Sequence, residues 1–219
     1  EILSGLVGSE MCIRDRVGVV GVGARCRLAL NAELKGNEGV VTAACEPHHL
    51  ARKRVAERLG KDPDSITITS DVTGLIASGI DVAFVTSPDD THAEITCQLL
   101  EAGIPVYLEK PLAITVTSAT RVLTTAFETG TKLYVGHNMR HMNVVRSMRD
   151  LIRTGRIGEV KAIWCRHFVG SGGDFYFKDW HATREHGTGL LLQKAAHDID
   201  VMHWFADSHT TDVVGMGGL

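Results

Sequence analysis

The 219-residue chain contains no apolar run approaching the roughly 18 residues that a membrane-spanning helix needs. It has no excess of basic residues either, since 23 Lys and Arg stand against 26 Asp and Glu for a net charge of −3. Without a positive field there is nothing to track a phosphate backbone, so nucleic acid is excluded as a partner. No CxxC pair occurs, and the five cysteines (Cys12, Cys26, Cys45, Cys97 and Cys165) are odd in number and scattered. Such spacing suits free thiols in a reducing compartment rather than a disulfide framework, and points to the cytoplasm. Aromatic residues make up only 5% of the chain, and no H-E-x-x-H or clustered Cys/His spacing marks a metal centre. No metal is therefore expected, although eight of the eleven histidines fall at or after His137.

What remains is enough for a core. Apolar residues reach 44%, and 23 glycines suit an α/β protein with many tight strand-to-helix turns. At about 150 residues per domain, the length lies between one and two domains. The first stretch, EILSGLVGSEMCIRDR, lacks the basic start and apolar region of a signal peptide and resembles translated adaptor sequence. Residues 1–16 are therefore expected to be a non-native leader, the alternative being a genuine disordered arm.

From Val17 onward, β-rich and helix-rich stretches alternate. Strands are expected at 17–23, 39–47, 65–69, 81–88, 104–111 and 132–138, and helices at 24–34, 48–60, 90–103 and 115–130. That alternation predicts right-handed βαβ units and a doubly wound parallel sheet, a Rossmann fold complete by residue 138. Beyond it, a basic helix (143–155), strands near 159–168 and 210–215, a glycine-rich loop at 170–173 and a helix at 188–205 read as an incomplete second α/β domain, 139–219.

GVGARC (21–26) carries a G-x-G turn between a strand and a helix. Gly21 permits the tight turn, and Gly23 lets the backbone of Val22 to Arg25 approach a pyrophosphate, with the amides of Ala24 and Arg25 pointing at it. Glu46 closes the second strand, 25 positions after Gly21, where a carboxylate accepts hydrogen bonds from ribose hydroxyls and repels a 2′-phosphate. NAD is thus expected over NADP, although His48, His49 and Arg52 leave room for NADP. The strand ending at Thr86 delivers Ser87 and Pro88 to the same sheet edge, with His92 in the next helix, and Glu109–Lys110–Pro111 ends the following strand there. A lysine beside a nicotinamide is useful, because burial and nearby charge lower its pKa so that it can donate to a substrate oxygen.

TSPDDTH (86–92) followed by EKP (109–111) resembles the Gfo/Idh/MocA oxidoreductase family, with Ser87 and Asp89 standing where Pro and Asn are usual. The resemblance implies that Thr86, Ser87, Pro88, His92, Glu109, Lys110 and Asn138 join the cofactor edge, that a second domain covers the nicotinamide, and that the intact protein forms a homo-oligomer. GTGLLLQKAAHDIDVMHWF (187–205) is similar to the family's catalytic helix, with His197 and Asp200 on its H-x-x-D and Gln193, followed by Lys194, where aspartate is usual. Lys110 and His197 are then the expected catalytic pair, His197 as general base because its ordinary pKa suits proton removal near neutrality. Gln193 and Lys194 would bind substrate, with Tyr176, Lys178, Trp180, His181 and Arg184 as further sugar contacts. Asp198 and Asp200 either orient His197 or face solvent. The expected activity is hydride transfer between NAD and a secondary alcohol of a sugar or inositol-like polyol, performed by a longer protein of which this chain is an inactive piece. A catalytically weak NAD-binding sensor, motivated by Gln193, and an NAD-retaining hydrolase or lyase are the alternatives.

Overall fold

The computed structural model describes residues 14–168, 170 and 173–216. Its first half is one six-stranded sheet, parallel throughout. Strand β1 (Asp15–Val20) pairs with β2 (Gly39–Cys45) and, on its other side, with the strand at Val82–Val85. Two short helices, α1 (His49–Arg52) and α2 (Val55–Leu59), lead to β3 (Thr67–Thr69), and α3 (Val72–Ala77) leads to β4, the Val82–Val85 strand. Then come α4 (His92–Glu101), β5 (Val106–Leu108), α5 (Val116–Thr129) and β6 (Leu133–Val135). The strand order β3-β2-β1-β4-β5-β6 is that of the doubly wound dinucleotide fold, with its switch point between β1 and β4.

The sheet separates two apolar layers, as the alternation of side chains along a strand requires. On one face Val17, Val19, Val41, Ala44 and Phe84 pack with Val55 and Leu59; on the other Val20, Ala43, Cys45 and Val85 pack with Leu75, Leu99, Leu100 and Val122. Segment 24–34, expected as an α-helix, is a 3-10 helix at Cys26–Glu33. Its buried residues Cys26, Ala29 and Ala32 recur every third position, the repeat at which side chains eclipse in a 3-10 helix, and all are small enough to sit close to the sheet. Helix α3 was not foreseen; the Asp71 carboxylate caps it by accepting from the Gly74 amide at 2.7 Å. The first strand begins at Asp15, ahead of the expected Val17, because Arg16 is clamped by Asp81 through contacts of 2.9 and 3.0 Å. Residues 1–13 of the expected leader, Cys12 among them, lie outside the described residues.

After β6, α6 (Asn143–Arg153) forms as expected, followed by a short α7 (Arg184–Gly187). A π-helical turn at Leu191–Ala195 continues into α8 (Ala196–Ala206). Val145, Val201 and Phe205 join α6 to α8 in a small third cluster. The strands expected at 159–168 and 210–215 are absent among the described residues. A strand exists only where another supplies its hydrogen bonds, and here Trp164, Phe168, Val213 and Val214 stand exposed instead. Residues 171 and 172 of the expected glycine-rich loop lie outside the described residues.

One glycine fixes the switch point. Gly21 sits at φ +80°, and a Cβ on it would lie 2.5 Å from the Ser87 Cα. Gly23 has neither restriction, for an added Cβ would meet nothing within 4 Å. Gly21→Ala is therefore expected to lower the unfolding free energy by about 2–3 kcal/mol, and Gly23→Ala to change it by less than about 0.5 kcal/mol. Chemical denaturation of the two variants checks the contrast; equal losses would show that the turn is not constrained in this way.

Candidate active site

The carboxyl ends of β1, β4 and β5 form one wall of a cleft of about 630 Å³, and the segment from Asn138 to His197 forms the other. Its β-edge floor is Gly21, Gly23, Ala24, Arg25, Thr86, Ser87, Pro88, His92, Glu109 and Lys110, all expected there from sequence. The Thr86 hydroxyl donates to the Gly21 carbonyl at 2.7 Å, and the Gly21 amide donates to the Cys45 carbonyl at 3.0 Å, so the glycine turn is tied to both neighbouring strands. His92 is almost wholly buried, with its ring nitrogens 2.7 Å from the Pro111 carbonyl and 3.0 Å from the Ser87 carbonyl. It fastens two edge turns together, and burial holds its pKa below the ordinary value. Arg25 reaches across to pair with the buried Glu109 at 3.1 Å.

Two expected nucleotide residues do not line the cleft. The Val22 side chain is buried in the core, its amide donates to the Glu46 carboxylate at 3.2 Å, and its carbonyl accepts from Arg58. Glu46 also accepts from the His48 amide at 3.1 Å, and so holds the glycine turn against the end of β2. The site fits a dinucleotide on three observations. A turn that excludes any side chain at Gly21 opens at Gly23 onto free space, Ala24 and Arg25 line the cleft immediately ahead of the 3-10 helix, and the Glu46 carboxylate stands at the end of β2.

The opposite wall comes from the second half. Asn138, Tyr176, Trp180, His181, Gln193, Lys194 and His197 all line the cleft. Arg184 does not: it lies exposed on α7. Lys178 is exposed as well and pairs with Asp174 at 2.5 Å. Trp180 stacks on His181 with ring centres 3.6 Å apart, and the Lys194 ammonium lies 4.6 Å from the Tyr176 ring centre. Asp198 and Asp200 neither orient His197 nor stand free in solvent. Asp200 accepts two bonds of 2.7 Å from Arg140, and Asp198 lies 3.0 Å from His167 Nδ1.

At the centre, Lys110 Nζ donates to the Gln193 carbonyl at 3.1 Å and lies 3.5 Å from its side-chain oxygen. The Gln193 amide nitrogen in turn donates to Asp89 Oδ2. Asp89 was not among the expected site residues, yet it lines the cleft and is 5% exposed. Burial pushes its carboxyl up to about 7, against the pull of Lys110. Lys110 is itself lowered, chiefly by burial. His197 is driven down to about 4, first by burial and then by the charges of Lys110, His137 and Lys194. Its Nδ1 is buried without a hydrogen-bond partner among the described residues, and the ring packs edge-on against His137 at 6.1 Å. Among the described residues no group of three or more His, Cys, Asp or Glu side chains is arranged to hold a metal ion, and no helix is long and apolar enough to cross a membrane.

Comparison with known proteins agrees with this geometry. The family profile described as oxidoreductase family, NAD-binding Rossmann fold (GFO_IDH_MocA) matches residues 16–137, and that of the GFO/IDH/MocA C-terminal domain matches residues 145–219. The myo-inositol dehydrogenase Hyg17 of Streptomyces leeuwenhoekii is 31% identical over 179 residues, 80% of this chain and 53% of that protein. An inositol 2-dehydrogenase of Azotobacter vinelandii is 29% identical over 203 residues, 88% of this chain and 54% of its own. Among solved structures, scyllo-inositol dehydrogenase from Lactobacillus casei with bound NAD(H) and scyllo-inositol superposes with a TM-score of 0.73 at 24% identity, covering 88% of this chain and 56% of that one. The structural likeness shows the fold. The chain spans about half the length of these relatives.

The two perturbed groups act on stability with opposite sign. Between pH 4 and 7 folded Asp89 holds a proton that an unfolded aspartate, at 3.8, has lost, so stability falls as pH rises. Between pH 4 and 6.5 the unfolded chain protonates the histidine while folded His197 stays neutral, so stability rises with pH. The slopes offset in the unaltered chain. Asp89→Asn should leave stability rising across this window and His197→Gln should leave it falling, each by on the order of 2–4 kcal/mol. Urea denaturation at a series of pH values reads both; identical profiles for all three proteins would show that neither group is shifted.

Proposed function

Because the chain belongs to the Gfo/Idh/MocA oxidoreductase family and carries its NAD-binding Rossmann fold, we propose that it is the NAD-binding and catalytic portion of a dehydrogenase acting on a secondary alcohol of a sugar or cyclic polyol. The observation that carries this reading is the meeting of Lys110, Gln193 and His197 in one cleft that opens onto the Gly21–Gly23 turn. Bound NAD⁺ would supply a hydride acceptor, the C4 carbon of its nicotinamide.

The chain's own groups do the rest. Lys110 donates to the substrate oxygen and stabilises the negative charge that develops as the hydroxyl proton leaves, a role favoured in a partly buried, water-poor site. Its carbonyl and amide partners on Gln193 fix where the ammonium points. His197, neutral near pH 7, accepts a hydrogen bond from a substrate hydroxyl on the same side. The aromatic faces of Tyr176 and Trp180 suit the apolar C–H face of a sugar ring, with Lys194 holding the Tyr176 ring from one side. The names of the relatives, which include myo-inositol and inositol 2-dehydrogenases, support a cyclic polyol.

The end of β2 supports NAD over NADP, because the half-buried Glu46 carboxylate would meet a 2′-phosphate with like charge. Calorimetry should show NAD binding more tightly than NADP, and Glu46→Ala weakening NAD by roughly 1–3 kcal/mol through lost charged hydrogen bonds. In the intact protein, Lys110→Met and His197→Ala should each cut turnover of a responsive inositol by about 10²–10⁴ while NAD affinity stays nearly constant. Tighter binding of NADP than NAD would overturn the cofactor assignment. Full turnover by either variant, or no turnover by the intact protein across inositols and sugars, would overturn the dehydrogenase reading.

A further inference from the structure

We propose that Asp89 is the residue that receives the proton leaving the substrate hydroxyl, with Gln193 holding its carboxylate and Lys110 facing it across the same amide. The proposal rests on the dehydrogenase reading and gives the departing proton a destination. Asp89 begins the turn after β4, lines the cleft alongside Lys110 and His197, and is 5% exposed. Although Lys110 acts on it electrostatically, no cation among the described residues lies within ion-pair distance of this carboxyl. Its one side-chain partner among the described residues is the neutral Gln193 amide. The neighbouring Asp90, by contrast, is taken up by His186 at 2.7 Å.

The orientation of Gln193 follows from the two charges beside it. Its side-chain oxygen lies toward the Lys110 ammonium and its amide nitrogen toward the Asp89 carboxylate. An amide cannot pass a proton between them, but it can hold both at a fixed separation within one cleft. The charged groups acting on Asp89 are Lys110, which favours its ionised form, and Asp90 and Glu109, which with burial favour its protonated form. The balance leaves the carboxyl at about 7, where a general base is most effective at neutral pH. His197 is the poorer acceptor: burial first, then Lys110, His137 and Lys194, oppose a positive charge on its ring. Two titratable groups in one cleft pushed to opposite sides of their ordinary values is the pattern that separates acid–base roles.

The step balances simply. The substrate O–H bond breaks and its electron pair stays to form the carbonyl; an oxidised nicotinamide, when bound, would supply the acceptor for the hydride that leaves carbon. The proton forms an O–H bond on Asp89, which returns it to solvent before the next turnover. Lys110 remains protonated throughout.

Carbon-13 carboxyl NMR of the 219-residue chain tests the site without substrate or cofactor. One aspartate carboxyl should titrate near neutrality, vanish in Asp89→Asn, and titrate still higher in Gln193→Leu, which removes the donor to its charged form. Aspartates that all titrate in the ordinary carboxylate range would overturn the proposal. In the intact protein, Asp89→Asn should lower kcat on a responsive inositol by about 10²–10⁴ with NAD affinity unchanged, and Asp89→Glu should recover part of it. The unaltered enzyme should lose kcat below about pH 7, and Asp89→Asn should lack that limb. A variant that keeps full kcat, or keeps the acid limb, would assign the proton elsewhere. Failure of the unaltered protein to bind NAD or oxidise any polyol would instead count against the dehydrogenase reading, since the carboxyl titration depends on neither.

Discussion

A buried carboxyl, Asp89, and a half-buried ammonium, Lys110, stand at the edge of one sheet and are joined through a neutral amide from a distant helix, and the site is organised around that arrangement. Buried charges survive only when paired or hydrogen-bonded. Gln193 meets that requirement for both at once, and in doing so fixes the π-helical turn at Leu191–Ala195 over the ends of β4 and β5. That turn brings Gln193 and Lys194 to the cleft, and α8, which continues from it, brings His197. The sheet in turn holds Asp89 and Lys110 in place through β4, whose side chains are all buried, and β5, of which only Tyr107 is half-buried.

The electrostatics follow from geometry rather than from residue type. A histidine is the usual choice for proton chemistry near neutrality, yet His197 is buried, with Lys110, His137 and Lys194 also opposing its charged form, and so stays neutral. An aspartate is usually ionised, yet Asp89 sits in a dry corner beside Asp90 and Glu109, and so titrates at about 7. The protonation that residue identity assigns to the two side chains is thereby shifted in opposite directions by their surroundings.

Much of this was legible in the sequence. The Rossmann sheet could be read from β-branched runs broken by helix-length segments, and the order of its motifs placed Gly21, Gly23, Thr86 to Pro88, His92, Glu109 and Lys110 on one edge, where they lie. Local pattern fell short where tertiary contact decides. The 3-10 helix at Cys26–Glu33 is selected by a three-residue repeat of small buried side chains, which composition alone scores as α-helical. The strands expected at 159–168 and 210–215 have β-rich sequence but no partner among the described residues. Asp89 was passed over because TSPDDTH presents two adjacent aspartates, and nothing local says that Asp90 will be paired by His186 while Asp89 turns inward. The resemblance pointed to a missing carboxylate at Gln193; the signal that could have found its counterpart was the replacement of the usual asparagine by Asp89 in the same cleft.

The bond between Asp89 and Gln193 spans 104 residues, and that between Asp90 and His186 spans 96. Contacts so far apart in sequence form late, because the loop-closure entropy must be met before they contribute anything. Every strand of the sheet, and with it the glycine turn, lies in the first 135 residues. A chain synthesised from its N-terminus can therefore complete its nucleotide-binding edge while the helix bearing Gln193 and His197 is still unmade. Cofactor captured at that stage would be a folding template, present on the sheet edge before the wall that closes over it arrives.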